Sequence, residues 1–198
     1  MIDKRIIPCL QLNNSSLVKT IKFKKINYIG DPINTIRIFN EIGVDEISFV
    51  DIRATINKTP PNYEILQEIS NECFVPLSYG GGISNLDEVK KILNIGYEKV
   101  ILNSATFSNP NIVTEIAKSI GSQSLICSID LKKNFFGKYS LYSNSGKTKH
   151  KINPIDWAIE LERLGAGELL VTNIDCEGTW KGFDISFLNK IASSVNIP

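Results

Sequence analysis

Apolar positions along the chain keep two rhythms, and the two alternate. In the first, apolar side chains recur three and four residues apart, as at Leu86, Val89 and Leu93, at Ile65, Leu66 and Ile69 after Pro61, and at Ile185, Leu188 and Ile191. That spacing puts them on one face of a helix. Helix starts are marked by a capping side chain followed by proline at Asp31-Pro32, Asn109-Pro110 and Asn153-Pro154. There the side-chain oxygen accepts an otherwise unpaired amide, and proline's fixed φ suits the first turn. Ser84 with Asp87 three residues on has the form of a capping box. Six helices are predicted. In the second rhythm the runs are short, apolar and β-branched. Three of them follow a glycine that ends a helix: Gly43 before Glu46 to Asp51, Gly96 before Lys99 to Asn103, and Gly165 before Glu168 to Thr172. Arg5 to Leu10, Phe74 to Tyr79 and Leu125 to Asp130 complete the set, each read as a buried parallel strand.

The order is therefore strand, helix, six times over, with Asn196-Ile197-Pro198 as the opening of a seventh strand. Two connections exceed a simple loop. Leu12 to Gly30 and Leu131 to Ile152 are candidate lids, and the Lys-Tyr-Ser-Leu-Tyr run in the second suggests a small hairpin. An internal echo sets the architecture: Gly43-Val-Asp-Glu46 returns as Gly165-Ala-Gly-Glu168, about four units later, as in a twofold (βα)4 repeat. A complete (βα)8 barrel takes about 250 residues. The expectation is an α/β chain of the (βα)8 TIM-barrel family, one domain over residues 1–198, incomplete at about six units. Its first and sixth parallel strands should then each show an unpaired edge.

Composition narrows the partners. Of the 198 residues 42% are apolar and 22% charged, which excludes a disordered or fibrous chain. Twenty-two basic against 21 acidic residues leave a net charge of +1, too small a field to hold a nucleic-acid backbone or an anionic membrane. No apolar segment has the length of a secretory signal or membrane span, so a cytoplasmic protein is expected. Cys9, Cys73, Cys127 and Cys176 lack metal-ligand spacing and read as reduced, mostly buried thiols, while the single histidine, His150, sits in a lysine run and reads as solvated. No metal or cofactor is expected.

In parallel α/β folds chemistry gathers where strands end. The positions there are Gln11, Asp51, Gly80 to Gly82, Asn103, Asp130 and Asp175. Gly82, closing the Gly80-Gly81-Gly82 triplet, stands either in a tight turn or in a phosphate cradle, and Asn103-Ser104 on the next strand favours the cradle. Asp130 is a candidate general acid or base, or a loop cap. Lys19, in the first long loop, closes over an anionic substrate or is a solvated lysine. At the opposite strand ends Arg5, Glu46, Lys99 and Glu168 each precede an apolar run, either as solvated strand ends or as a neutral ring that plugs or gates the floor.

With these motifs in order, Lys4-Arg-Ile-Ile-Pro-Cys-Leu10, Gly30-Asp31-Pro32, Val44-Asp45-Glu46, Gly80-Gly81-Gly82-Ile83, Ser128-Ile129-Asp130, Gly165-Ala166-Gly167-Glu168 and Asp175-Cys-Glu-Gly-Thr179, the chain resembles the cyclase (synthase) subunit of imidazole glycerol phosphate synthase. The resemblance implies a barrel that receives ammonia from a glutaminase docked on its floor, with Glu98 and Gln123 as contacts. It also implies lyase chemistry that yields imidazole glycerol phosphate and an aminoimidazole carboxamide ribotide. It makes Asp130 one of two catalytic aspartates, Lys19 a substrate-loop lysine, and Gly82, Asn103 and Ser104 one phosphate site. Glu177 and Gly178 fall at a distal phosphate site, where Glu177 replaces the family's aspartate, and Arg5, Glu46, Lys99 and Glu168 become the ammonia gate.

Gln11 departs most from the family. It replaces the second catalytic aspartate, and an amide exchanges no proton near neutral pH. Gln11 in Ile-Pro-Cys-Leu-Gln-Leu, with Leu17-Val18-Lys19-Thr20 and Tyr28-Ile29-Gly30-Asp31-Pro32-Ile33-Asn34, resembles a diverged branch tied to acetamidino modification of surface-glycan sugars. The resemblance implies ammonia delivery to a sugar amidotransferase, with a histidine-pathway cyclase and an inactive, truncated scaffold as alternatives.

Overall fold

The computed structural model describes residues 4–198. Contacts divide the described chain into two compact units, the residues up to Lys19 with Asn27–Ile101, and Thr20–Ile26 with Leu102–Pro198. In each, apolar strands lie parallel under helices, an α/β fold with a sheet rich in parallel pairs.

In the first unit β1 (Cys9–Asn13), β4 (Ile47–Asp51), β5 (Leu77–Gly80) and β6 (Lys99–Leu102) pair side by side in parallel. The stretch expected as a long loop is instead the hairpin β2 (Ser16–Ile21) and β3 (Lys25–Gly30). β2 lies antiparallel on β1, with Gln11 opposite Val18 and Asn13 opposite Ser16. The outer edge of β1 is thus covered over Gln11 to Asn13, contrary to the bare edge expected, because Leu17 and Val18 are buried by the pairing. β1 also starts later than Arg5. Helices α1 (Pro32–Ile42), α3 (Tyr63–Glu72) and α4 (Leu86–Ile95) bury Ile36, Ile65, Leu66, Ile69, Val89 and Ile92, and a four-residue α2 (Ala54–Asn57) follows β4. Asp31 caps α1 by accepting from Asn34 N, and Gly43 closes it in the left-handed conformation. The start of α4 lies one residue beyond the expected Ser84: Asn85 accepts from Glu88 N at 3.0 Å, while the Glu88 carboxylate accepts from Ser84 N at 2.7 Å. Glutamate rather than Asp87 reaches back, since only the longer side chain spans the turn.

In the second unit β7 (Leu125–Lys133) is buried from Leu125 to Leu131 and pairs parallel with β10 (Glu168–Asn173). Its other partner is β8 (Tyr139–Ser143), which leads into β9 (Thr148–His150), so the small hairpin expected after Asp130 is present. Every residue of β10 is half-buried, and Leu169 N donates to Pro198 O at 2.8 Å. Helices α5 (Ser104–Ser108), α6 (Asn111–Ile120), α7 (Pro154–Leu164) and α8 (Ile185–Ala192) complete the unit. Asn153 caps α7 as expected, but the Asn109 side chain accepts no capping bond from α6, and Asn109 instead ends α5. On α8 only Ile191 is buried, and Ile185 is 60% exposed.

Two expectations about single residue types are corrected. Of the cysteines only Cys127 is buried; Cys9 is exposed because the β2 cover begins two residues beyond it. His150 is half-buried rather than fully solvated. Its ring stacks on Phe107 at 3.9 Å, and Phe107 in turn stacks on buried Trp157. His150 Nε2 bonds Ser143 Oγ at 2.8 Å, and burial lowers its pKa.

Candidate active site

Asp130 lies on β7, a strand apolar enough to exclude water from its neighbours, and the residue is 8% exposed. Its carboxylate accepts from Asn103 Nδ2 at 3.1 Å and faces Ser128 Oγ at 3.5 Å. Desolvation outweighs these two bonds, which favour the charged form, and raises the Asp130 pKa to about 7. A carboxyl poised there is half protonated at neutral pH, able both to give and to take a proton. Asn103 also bonds Ser128 O at 3.2 Å, so its amide is fixed by two acceptors while Ser104 Oγ, at the first position of α5, accepts from Asn144 N at 3.0 Å.

Glu177 and Gly178 follow β10. Glu177 Oε1 accepts from Thr20 Oγ1 at 2.8 Å and Oε2 from Phe23 N at 3.0 Å, while Glu177 O accepts from Lys22 N at 3.0 Å. The side chain holds the turn between β2 and β3, and Lys19, expected in a loop, lies within β2 because that stretch pairs with β1. Gly178 has φ +67°, and a Cβ there would collide with Thr20 O, so this close approach requires glycine. Asp175 accepts from Lys133 N at 2.8 Å, and the loop is anchored further by Asp184, which accepts from Lys133 Nζ at 2.8 Å and Tyr139 Oη at 2.6 Å.

In the first unit Gln11 sits mid-strand, opposite Val50 of β4 and Val18 of β2. Asp51 ends β4 and caps α2, accepting from Arg53 N at 2.8 Å and Ala54 N at 3.0 Å; burial raises its pKa against those bonds. Gly81 and Gly82 pass so near the chain that a Cβ would come within 2.6 Å of Asp51 O or 2.7 Å of Thr59 O respectively, and Gly82 N points to Thr55 Oγ1 at 3.4 Å.

At the other ends of the strands, Glu46 is 2% exposed and its Oε2 receives both Lys99 Nζ at 2.6 Å and Arg5 Nη1 at 2.8 Å. Glu46 Oε1 is also buried and, among the described residues, has no hydrogen-bond partner. The structure thus brings together three of the four charged strand openers. Glu168 opens β10 in the second unit.

A model for the family described as histidine biosynthesis protein matches residues 5–198. The chain belongs to that family. A Pseudomonas aeruginosa relative provisionally named imidazole glycerol phosphate synthase subunit hisF2 is 46% identical over 198 residues, covering all of this chain and 79% of the relative. The imidazole glycerol phosphate synthase subunit HisF of Thermococcus onnurineus is 43% identical over 199 residues, all of this chain and 78% of that protein. The protein of the same name in Alkaliphilus metalliredigens is 38% identical over 198 residues, all of this chain and 79% of its own length.

Within this member of the histidine biosynthesis family, three contributors escaped the reading of single strand ends. Ser128 lies two residues before Asp130, hence on the same strand face, a signal present in the period of two. Thr20 and Asn144 gave no such signal, because their partners Glu177 and Ser104 are 157 and 40 residues away.

Proposed function

We propose that this chain is the cyclase-type subunit of an imidazole glycerol phosphate synthase pair, drawing ammonia from a glutaminase and using it on a phosphorylated ribonucleotide. The observation that carries this is Glu46. A carboxylate so deeply buried between two cations, with one oxygen left unsatisfied, suits a small N–H donor such as ammonia or ammonium at a gate, since an unpaired buried acceptor is costly to leave empty. Arg5, Glu46, Lys99 and Glu168 form that gate, with Glu98 and Gln123 at the glutaminase contact. Asp130 is the general acid or base; Gly82, Asn103 and Ser104 take one phosphate; Lys19 closes over the substrate; and Glu177 and Gly178 shape the distal end by setting the β2 to β3 turn. The barrel of this reading is a (βα)8 barrel, of which these residues build about six units in one domain.

Gln11 favours a second reading. With an amide where the acid–base pair needs a carboxyl, ammonia is passed to a sugar amidotransferase for acetamidino modification of glycans, and cyclisation is vestigial. Ammonia-dependent formation of imidazole glycerol phosphate separates the two. Turnover by the wild type at the rate of an ordinary cyclase supports the histidine-pathway reading. Turnover lower by about 10²- to 10⁴-fold and restored by Gln11→Asp supports the glycan reading. Loss of both glutamine-dependent and ammonia-dependent activity in every variant refutes a catalytic role.

A further inference from the structure

The turn joining β7 to β8 carries two bare aromatic rings. Phe135 and Phe136 are 96% and 89% exposed and pack edge to face, with centroids 5.7 Å apart and planes at 87°. Adjacent at the tip of a hairpin, they make one projecting apolar knob rather than two scattered residues. The backbone beneath them is closed on itself. Asn134 N donates to Lys138 O at 2.9 Å, Gly137 N to Asn134 O at 3.0 Å, and Asn134 Oδ1 accepts from Phe136 N at 3.0 Å and Lys138 N at 2.9 Å. Water would satisfy those four amides in any exposed turn. Here they are paired within the turn, as in many exposed turns, and the pairing fixes the backbone that carries the two rings.

The charge carried by the hairpin's own residues is one-sided, with Asp175 and Asp184 meeting it at Lys133 and Tyr139. Between Leu131 and Ile152 stand Lys132, Lys133, Lys138, Lys147, Lys149 and Lys151, and no aspartate or glutamate. The net charge of +1 therefore hides a strongly basic hairpin. Lys132 leans over the Tyr142 ring at 6.0 Å, Lys133 is tied to Asp184, and Lys138 is exposed beside the rings.

We propose that the Asn134 to Lys138 tip docks on an anionic phospholipid surface, with Phe135 and Phe136 entering the boundary between headgroups and acyl chains and the flanking lysines remaining at headgroup level. Aromatic side chains and lysines sort to those two depths for the same physical reasons in any bilayer. A nucleic acid fits less well. Base stacking needs open ring faces along a groove, whereas these two rings turn toward each other on a projection. The contact needs no spanning helix, and among the described residues no helix is long and apolar enough to cross a membrane.

Co-sedimentation with unilamellar vesicles tests this, using phosphatidylcholine alone and an equal mixture with phosphatidylglycerol. Binding to the anionic vesicles should exceed binding to the neutral ones at least about tenfold and weaken as salt is raised to about 0.5 M. The double variant Phe135→Ala/Phe136→Ala should lose at least about tenfold in vesicle affinity, and Lys138→Ala about fivefold. A Phe135→Trp variant should shift its emission to the blue on adding anionic vesicles and be quenched by brominated acyl chains. Since the tip is exposed, all three variants should melt with the wild type, which separates lost docking from lost folding. Four results overturn the proposal: no preference for anionic vesicles, an unchanged double variant, equal or tighter binding to single-stranded RNA that the double variant abolishes, or a wild-type dimer that the double variant converts to monomer.

Discussion

Asp130→Asn isolates the energetic consequence of burying a carboxyl on β7. In the folded protein the Asp130 pKa stands at about 7, against an ordinary value of 3.8, with burial as the main cause. The folded chain therefore holds the proton more tightly than the unfolded chain between these values, so this group's share of stability is greatest below about pH 4 and falls as pH rises, its loss complete above about pH 7. The gap corresponds to an upper bound of about 4 kcal/mol. Asparagine has nearly the same shape and never ionises. Its oxygen can accept from Asn103 Nδ2 and its nitrogen donate to Ser128 Oγ, so both contacts survive. Urea denaturation of wild type and variant across about pH 4 to 8.5 reads the difference directly, and the other titrating groups, His150 included, cancel between the two proteins. The variant should match the wild type within about 1 kcal/mol near pH 4 and become the more stable by up to about 4 kcal/mol above pH 7. A pH-independent difference, or a variant less stable than the wild type near pH 8, would refute the assignment of a raised pKa by desolvation.

Other substitutions probe the supports of the site. Glu46→Gln should destabilise by about 3 kcal/mol in denaturant titration, because Lys99 and Arg5 lose a charged partner that only 2% exposure has desolvated. Gly178→Ala should destabilise by at least about 2 kcal/mol and loosen hydrogen exchange in the β2 to β3 turn, since φ of +67° and the collision with Thr20 O both oppose a Cβ. Asn85→Ala should lower stability by about 1 kcal/mol through loss of the α4 cap, while Asp87→Ala should stay within about 0.5 kcal/mol, as thermal melts of the two variants would compare.

How far the chain could be read without coordinates depended on how local each cause was. The six main helices and the parallel strands under them were legible, because periods of 3.6 and 2, proline after a cap residue and glycine at a helix end act within a few residues. Glu46 was legible just before a strand, and Asp130 as the close of an apolar run, although β7 continues past it to Lys133 because β8 pairs with it there. The first long connection was misread as a loop: the exposed positions of Lys25 to Gly30 dilute the alternation, and only pairing of Leu17 and Val18 against β1 makes a strand there. The same reason covers His150, whose lysine neighbours say solvent while Phe107 of α5, itself stacked on Trp157 of α7, takes the ring. What the sequence by itself determined was the element order, the identity of the chemical groups and the family motifs. Tertiary structure alone decided the protonation of Asp130, the pairing of Glu46 with two cations and the use of Glu177 to pin a turn. Each of these rests on desolvation or on partners tens of residues away, and neither is encoded in any one stretch of chain.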